Sequence, residues 1–94
     1  MGNWVKEEYS DIFVNYLDDI LDLIAEYDAL VTPYGEGNVK IDVLTNTKYR
    51  IQIEVLSNFE INCYLYGNNG IEEEFKSVFI SDIAYIVHLW VNRQ

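Results

Sequence analysis

The chain has 94 residues, half of them apolar, and its sixteen acidic and six basic side chains give a formal charge of −10. This length provides for one hydrophobic core, so we predict a single domain over residues 1–94. Eight tyrosines, four phenylalanines and two tryptophans argue against disorder despite the charge. The excess of negative charge disfavours binding to nucleic acid or to an anionic membrane and favours a basic protein as partner.

The cysteine content and the hydropathy pattern predict a cytoplasmic protein. Cys63 is the only cysteine, which excludes an internal disulfide and is typical of a reducing compartment. The sequence has no apolar stretch of about 20 residues, the length that a transmembrane helix needs. Its first residues also form no apolar signal region.

The first predicted element is a helix over residues 8–28. Asn3 and Ser10 are both permissible N-caps. The sequence therefore predicts a helix that begins either at Asn3 or at Ser10. It must end before Pro33, and a loop over residues 33–38 follows. At about 100° per residue, the apolar side chains of this stretch fill one arc of the helix. This arc comprises Ile12, Phe13, Tyr16, Leu17, Ile20, Leu21, Leu23, Ile24 and Tyr27.

The opposite side of this helix is a row of carboxylates, roughly 80° wide, which we call the acidic stripe. No lysine or arginine occurs over residues 7–28, so ion pairs at four-residue spacing cannot support the helix there. Carboxylates at that spacing, such as Asp18 and Asp22, repel each other instead. Stability gives no reason for this arrangement, whereas binding to a basic surface does. The stripe comprises Glu8, Asp11, Asp18, Asp19, Asp22 and Glu26.

Alternating apolar residues then predict an antiparallel sheet. More apolar side chains alternate with more polar ones over residues 39–43, 49–55 and 60–66. This alternation is typical of strands with one buried face. Gly-Asn-Asn-Gly at 67–70 predicts a hairpin turn, because both residue types tolerate positive φ. A fourth strand at about 71–76 follows, with weaker alternation. The other face of the sheet would carry Lys40, Asp42, Arg50, Gln52, Glu54, Asn62, Tyr64 and Tyr66.

The last predicted element is a helix over residues 81–92, with Ser81 as N-cap and Asp82 favoured by the helix dipole. Apolar residues are so dense here that we expect burial on nearly all sides, with a more polar edge formed only by Tyr85, His88 and Asn92. The many β-branched residues leave a strand as the alternative. The element order predicts an α+β fold: a single two-layer domain with an N-terminal helix, a three- or four-stranded antiparallel sheet and a C-terminal helix.

The sequence carries no recognised catalytic motif, and we predict that the protein is not an enzyme and uses no cofactor. His88 is the only histidine, and its apolar surroundings in sequence favour a structural role. Cys63 has no basic neighbour in sequence that would lower its pKa, which favours a buried, unreactive thiol. Asp18, Asp22 and Glu26 share a helix face, but calcium sites usually wrap a loop around the ion. We therefore predict no metal site.

A second acidic cluster, Glu72, Glu73 and Glu74, follows the hairpin turn. We predict that it and the acidic stripe bind the basic groove of a nucleic-acid-binding protein. Carboxylates four residues apart on a helix rise about 6 Å, close to the phosphate spacing along one strand. In size, charge and lack of catalytic motifs, the chain resembles small acidic phage proteins that block CRISPR effectors or restriction enzymes. This predicts a non-catalytic inhibitor that mimics nucleic-acid charge, with Trp4, Tyr64 and Tyr66 as candidate aromatic anchors.

Two alternatives stay open. An immunity protein or antitoxin that caps the active site of a cognate nuclease would use the same electrostatics. A small acidic enzyme or ligand-binding domain would instead have a concave pocket lined by His88 and tyrosines, and its binding would be insensitive to salt. The sequence leaves the oligomeric state open.

Overall fold

The computed structural model describes residues 9–45 and 48–92, which form two helices and one five-stranded antiparallel sheet. Each strand pairs with the next one in sequence, so the sheet order is the chain order. The predicted α+β class, with helices at both ends of the chain, is confirmed, but the sheet has five strands instead of three or four. The elements are α1 (Asp11–Leu23), β1 (Asp28–Tyr34), β2 (Asn38–Leu44), β3 (Arg50–Val55), β4 (Ile61–Gly67), β5 (Gly70–Phe75) and α2 (Ile80–Val91).

Helix α1 has the later of the two predicted starts. The Ser10 side chain accepts a hydrogen bond of 3.2 Å from the Phe13 backbone N–H, which caps the first turn. The prediction that the helix continues to residue 28 is wrong. It ends at Leu23, and a turn leads into β1 at Asp28. The earlier start at Asn3 lies outside the described residues.

Strand β1 occupies a segment that the sequence predicted as the end of a helix and a loop. Its core-facing residues are Ala29, Val31 and Pro33, opposite Val43, Ile41 and Val39 of β2. Proline removes a backbone donor, and β1 tolerates Pro33 because it lies at the edge of the sheet. The loop before β2 therefore shrinks to residues 35–37, where Gly35 and Gly37 both have positive φ.

One face of the sheet and one stripe of each helix form the core. The alternation predicted for β2, β3 and β4 is confirmed, since every second residue of these strands is buried. Asn62 of β4 is the one further residue of the three strands that is buried. Both helices cover this same face, which we call the helix face; the other is the open face. The core comprises Phe13, Leu17, Ile20 and Ile24; Val39, Ile41 and Val43; Ile51, Ile53 and Val55; Ile61, Cys63 and Leu65; and Ile83, Val87 and Trp90.

Residues 80–91 are helical, so the strand alternative is wrong. Phe79 occupies the N-cap position in place of Ser81 and makes no side-chain cap bond, while Asp82 lies in the first turn as predicted. The expectation of burial on nearly all sides is also wrong. One stripe of α2 is buried, whereas Ala84 and Leu89, which were expected to be buried, are exposed. The sheet meets a single side of the helix, and its other sides lie outside the core.

Candidate functional site

The acidic stripe lies on the side of α1 that points away from the core. Asp11, Asp19 and Asp22 are exposed, and Asp18 is half-buried. At 1.5 Å per residue, Asp11 and Asp22 are separated by about 16 Å along the helix axis. Glu26 is exposed but lies in the turn after α1, so it does not extend the helical row. The predicted member Glu8 lies outside the described residues.

Exposed apolar side chains flank this row. Ile12 and Leu23, which the sequence placed in the buried arc, are 73% and 41% exposed. Asp19 and Asp22 line one groove together with Leu23 and the first residues of α2. Asp19 also lines a second groove with Ile12 and Phe59 on its other side. Exposed apolar side chains therefore border the row of carboxylates on both sides.

Phe59 is a surface residue that the sequence analysis missed. It has a φ of 73°, a conformation that is uncommon for a non-glycine residue. The Phe13 and Tyr16 rings hold it, with centroids at 5.6 and 5.2 Å, and the Tyr16 hydroxyl donates a hydrogen bond of 3.1 Å to its carbonyl. Asn58 was the better sequence candidate for positive φ, so no sequence signal pointed to Phe59.

The second acidic cluster does not form one surface. Glu73 lies opposite Leu65 on the helix face, whereas Glu74 lies opposite Tyr64 on the open face. Glu72 occupies the register shift between them. All three are exposed on β5. The structure thus places only Glu73 on the same face of the sheet as the acidic stripe.

The basic side chains that the structure describes lie over tyrosine rings. Because three of these rings lie on the open face, the corresponding cations are on the side of the sheet opposite α1. The remaining bases, Lys6 and Arg93, lie outside the described residues. The pairs are Lys40 with Tyr34 at 4.6 Å, Arg50 with Tyr66 at 5.1 Å, Lys76 with Tyr64 at 4.8 Å and Lys48 with Tyr49 at 5.5 Å.

The centre of the open face is the carboxylate of Glu54. Its Oε1 accepts hydrogen bonds from Asn62 Nδ2 at 2.9 Å and from the Tyr64 hydroxyl at 3.1 Å, and its Oε2 accepts one from the Tyr34 hydroxyl. Asn62 is itself buried and accepts a hydrogen bond from the Ser77 backbone N–H at 3.0 Å. Tyr64, a predicted partner anchor, is thus a member of an internal network.

Burial alone would raise the pKa of Glu54, but the hydrogen bonds from Tyr34, Asn62 and Tyr64 and the charge of Lys76 outweigh it and lower that pKa. Burial and the bond to Glu54 raise the pKa of Tyr34. The contact therefore requires an ionised carboxylate and a protonated phenol. The ionised carboxylate and the protonated phenol are both present at every pH between about 4.3 and about 10, the ordinary pKa values of glutamate and tyrosine.

We expect Glu54→Gln to reduce the free energy of unfolding by about 1 to 2 kcal/mol at neutral pH, because the hydrogen bonds lose their charged acceptor. A lowered folded-state pKa means that the carboxylate stabilises the fold above about pH 4.3 and ceases to do so as the pH falls through the folded value. The difference between wild type and variant, measured by urea unfolding, should therefore shrink in acid. Glu36→Gln, in an exposed loop, is the control; equal differences at neutral and acid pH would contradict the assignment.

Groups with catalytic potential are scarce in the described part of the chain. His88 is exposed on α2, with its Nδ1 3.2 Å from the Asn92 amide. Cys63 is buried, which raises the pKa of its thiol to about 12 and keeps it protonated. Over residues 9–45 and 48–92, no three His, Cys, Asp or Glu side chains are grouped closely enough to hold a metal ion. Neither α1 nor α2 is long and apolar enough to cross a membrane.

No protein-family model matches the chain, and no curated protein and no solved structure matches it.

Proposed function

We propose that the protein is a non-catalytic inhibitor whose acidic helix binds the basic nucleic-acid-binding groove of a nuclease-type effector, as anti-CRISPR and anti-restriction proteins do. The observation that carries the proposal is the solvent-facing row of Asp11, Asp19 and Asp22 on α1. These carboxylates are fixed on a rigid element that Phe13, Leu17 and Ile20 anchor to the core. They are therefore preorganised for a partner.

Charge placement further supports a cationic partner. The described lysine and arginine side chains on the open face are separated from α1 by the sheet, so they do not neutralise the row. A groove that normally holds phosphates contains several Lys and Arg side chains, and an anionic helix can take their place. Opposite charge would also accelerate association at low salt.

A specific interface needs apolar contacts in addition to charge, and here Ile12, Leu23 and Phe59 supply them. All three are exposed and border the acidic row. Interfaces combine a partly apolar centre with a polar rim, and truncation of a few large side chains usually accounts for most of the binding energy. We expect these residues to determine which effector is bound, and the carboxylates to govern the association rate.

The test is a panel of purified RNA-guided effectors, restriction endonucleases and nuclease toxins. At least one member should lose nucleic-acid cleavage in the presence of the protein, and added nucleic acid should relieve the inhibition by competition. Affinity should fall at least about tenfold between about 50 and 200 mM salt, because a basic groove is being neutralised. If the inhibited member is a toxin, the immunity or antitoxin alternative is favoured.

Inhibition that is insensitive to salt or not relieved by nucleic acid would contradict a mimic of nucleic-acid charge. A ligand-binding domain predicts a pocket lined by His88. His88 is not among the lining residues of either of the two clefts between β5 and α2.

A further inference from the structure

The helix face is not fully covered at β5. In the sheet that the structure describes, β5 is an edge strand that pairs with β4, and all six of its residues are exposed. Phe75 lies opposite Cys63 on the helix face, so its ring extends the core outward beyond the last covered strand. An exposed edge presents backbone donors and acceptors that can pair with another strand.

Beside this edge lies a cleft of about 430 Å³ between β5 and α2. Tyr85 and Leu89 of α2 form one wall and are 65% and 53% exposed. Phe75 forms the other wall, and the buried core residues Leu65 and Trp90 also line the cleft. Large apolar side chains concentrated along an open strand edge indicate a binding groove.

We propose that β5 and α2 together bind an extended, basic segment of a partner protein, which adds to the sheet as a sixth strand. Backbone pairing with β5 would supply affinity, and alternate side chains of the segment would enter the cleft or lie on the open face. The inference rests on the proposed function only in taking the partner to be a basic protein. It involves β5 and α2, and does not depend on the acidic stripe.

Charge decides the chemistry of the segment. β5 carries three consecutive glutamates, and Asp82 of α2 lines a groove together with Glu74 and Lys76 at the same edge. The Lys76 ammonium lies over the Tyr64 ring on the open face, so the charge along β5 itself is negative. When two charged residues face each other across adjacent strands, charges of opposite sign stabilise the pairing and charges of the same sign destabilise it. A second copy of β5 that pairs along residues 72–74 would bring glutamates against glutamates, which disfavours that pairing, whereas a basic strand is favoured in the same register.

The register predicts the order of residues in the segment. In an antiparallel pair, the residue opposite Phe75 lies on the helix face and can enter the apolar cleft. The next two residues lie opposite Glu74 and Glu73. The segment should therefore read, from its N-terminus, one large apolar residue followed by two lysines or arginines.

The test uses a fluorescein-labelled synthetic strand peptide with the order Phe-Lys-Lys between threonine and valine flanks. NMR titration with the full-length protein should shift the backbone amides of β5 and of the Tyr85–Leu89 side of α2. A peptide with Phe-Glu-Glu at the same positions should bind at least about tenfold more weakly. Equal binding of the two peptides, or no shift at β5 with the basic one, would overturn the proposal.

A matched pair of protein variants completes the experiment. Tyr85→Ala with Leu89→Ser should weaken the basic peptide at least about tenfold by removing one wall of the cleft. Leu44→Ser, at the end of β2, removes an exposed apolar group elsewhere and should leave peptide binding unchanged. Because all three side chains are exposed, both variants should keep the wild-type circular dichroism. Equal losses in both, or a concentration-dependent dimer formed through β5, would overturn the proposal, whereas the enzyme panel would still test the acidic stripe.

Discussion

Replacing Asp11, Asp19 and Asp22 by lysine is expected to lower the affinity for the inhibited enzyme by about 100-fold or more, because attractive contacts become repulsive at a desolvated interface. The dependence of affinity on salt should weaken at the same time, since fewer cations of the groove are neutralised. Inhibition curves at two salt concentrations, with the panel member that the protein inhibits, measure both effects.

The fold should survive these replacements. All three side chains are exposed. A lysine in the first turn, at position 11, is unfavourable with the helix dipole, and a lysine in the last turn, at position 22, is favourable, so the two effects on α1 largely offset each other. Thermal unfolding followed by circular dichroism should give a melting temperature within a few degrees of wild type.

The matched control changes charge equally at other places. It combines Asp28→Lys at the start of β1 with Glu36→Lys in the β1–β2 loop and Glu60→Lys in the β3–β4 loop. Each triple variant has a formal charge of −4, because every replacement adds two units to −10. We expect the control to keep most of its affinity. If both triple variants lose binding equally, total charge and not the helical row is responsible.

The periodicity of the sequence predicted the central fold well because burial there is one-sided. β2, β3 and β4 alternate over most of their length, and Ser10 is a recognisable N-cap for α1. β1 was missed because the helical apolar period continues as far as Tyr27, directly before the strand, and because Pro33 within the strand indicates a loop. Its identity as a strand depends on pairing with β2, which is a tertiary contact.

The candidate surfaces could be predicted only in part. The outward position of the acidic stripe follows from helical period alone. The exposure of Ile12 does not, because it depends on α1 meeting the sheet through a single row of side chains. The cleft beside β5 reflects how far α2 extends over the sheet, and the bonds to Glu54 include Tyr34 from the strand that was missed. Neither has a local signal in the sequence.

Ile53→Ala is expected to reduce the free energy of unfolding by about 3 to 4 kcal/mol, which is a large part of the stability of a domain of this size. Ile53 is fully buried in the middle of β3, between Ile41 and Cys63 on the neighbouring strands. The sheet cannot collapse around the missing atoms without losing its register, so a cavity remains. Urea unfolding measures the loss, and the melting temperature should fall by at least about 12 °C.

Ile12→Ala makes the same chemical change at an exposed position and should alter the free energy of unfolding by less than about 0.5 kcal/mol. Ile53→Val, which removes one methyl group, should lie between the two at about 1 kcal/mol. If truncation of Ile53 costs no more than truncation of Ile12, the assignment of the helix face as the core is wrong.

Ile53→Ala also distinguishes a folded mimic of nucleic acid from a chain that inhibits through its negative charge alone. Ile53→Ala leaves the formal charge at −10 but raises the unfolded fraction, so only a mechanism that needs the ordered acidic row is affected. Above the melting temperature of the variant and below that of wild type, inhibition should disappear in proportion to the unfolded fraction. Inhibition that persists in the unfolded chain would mean that charge alone suffices and that the geometry of α1 has no part in binding.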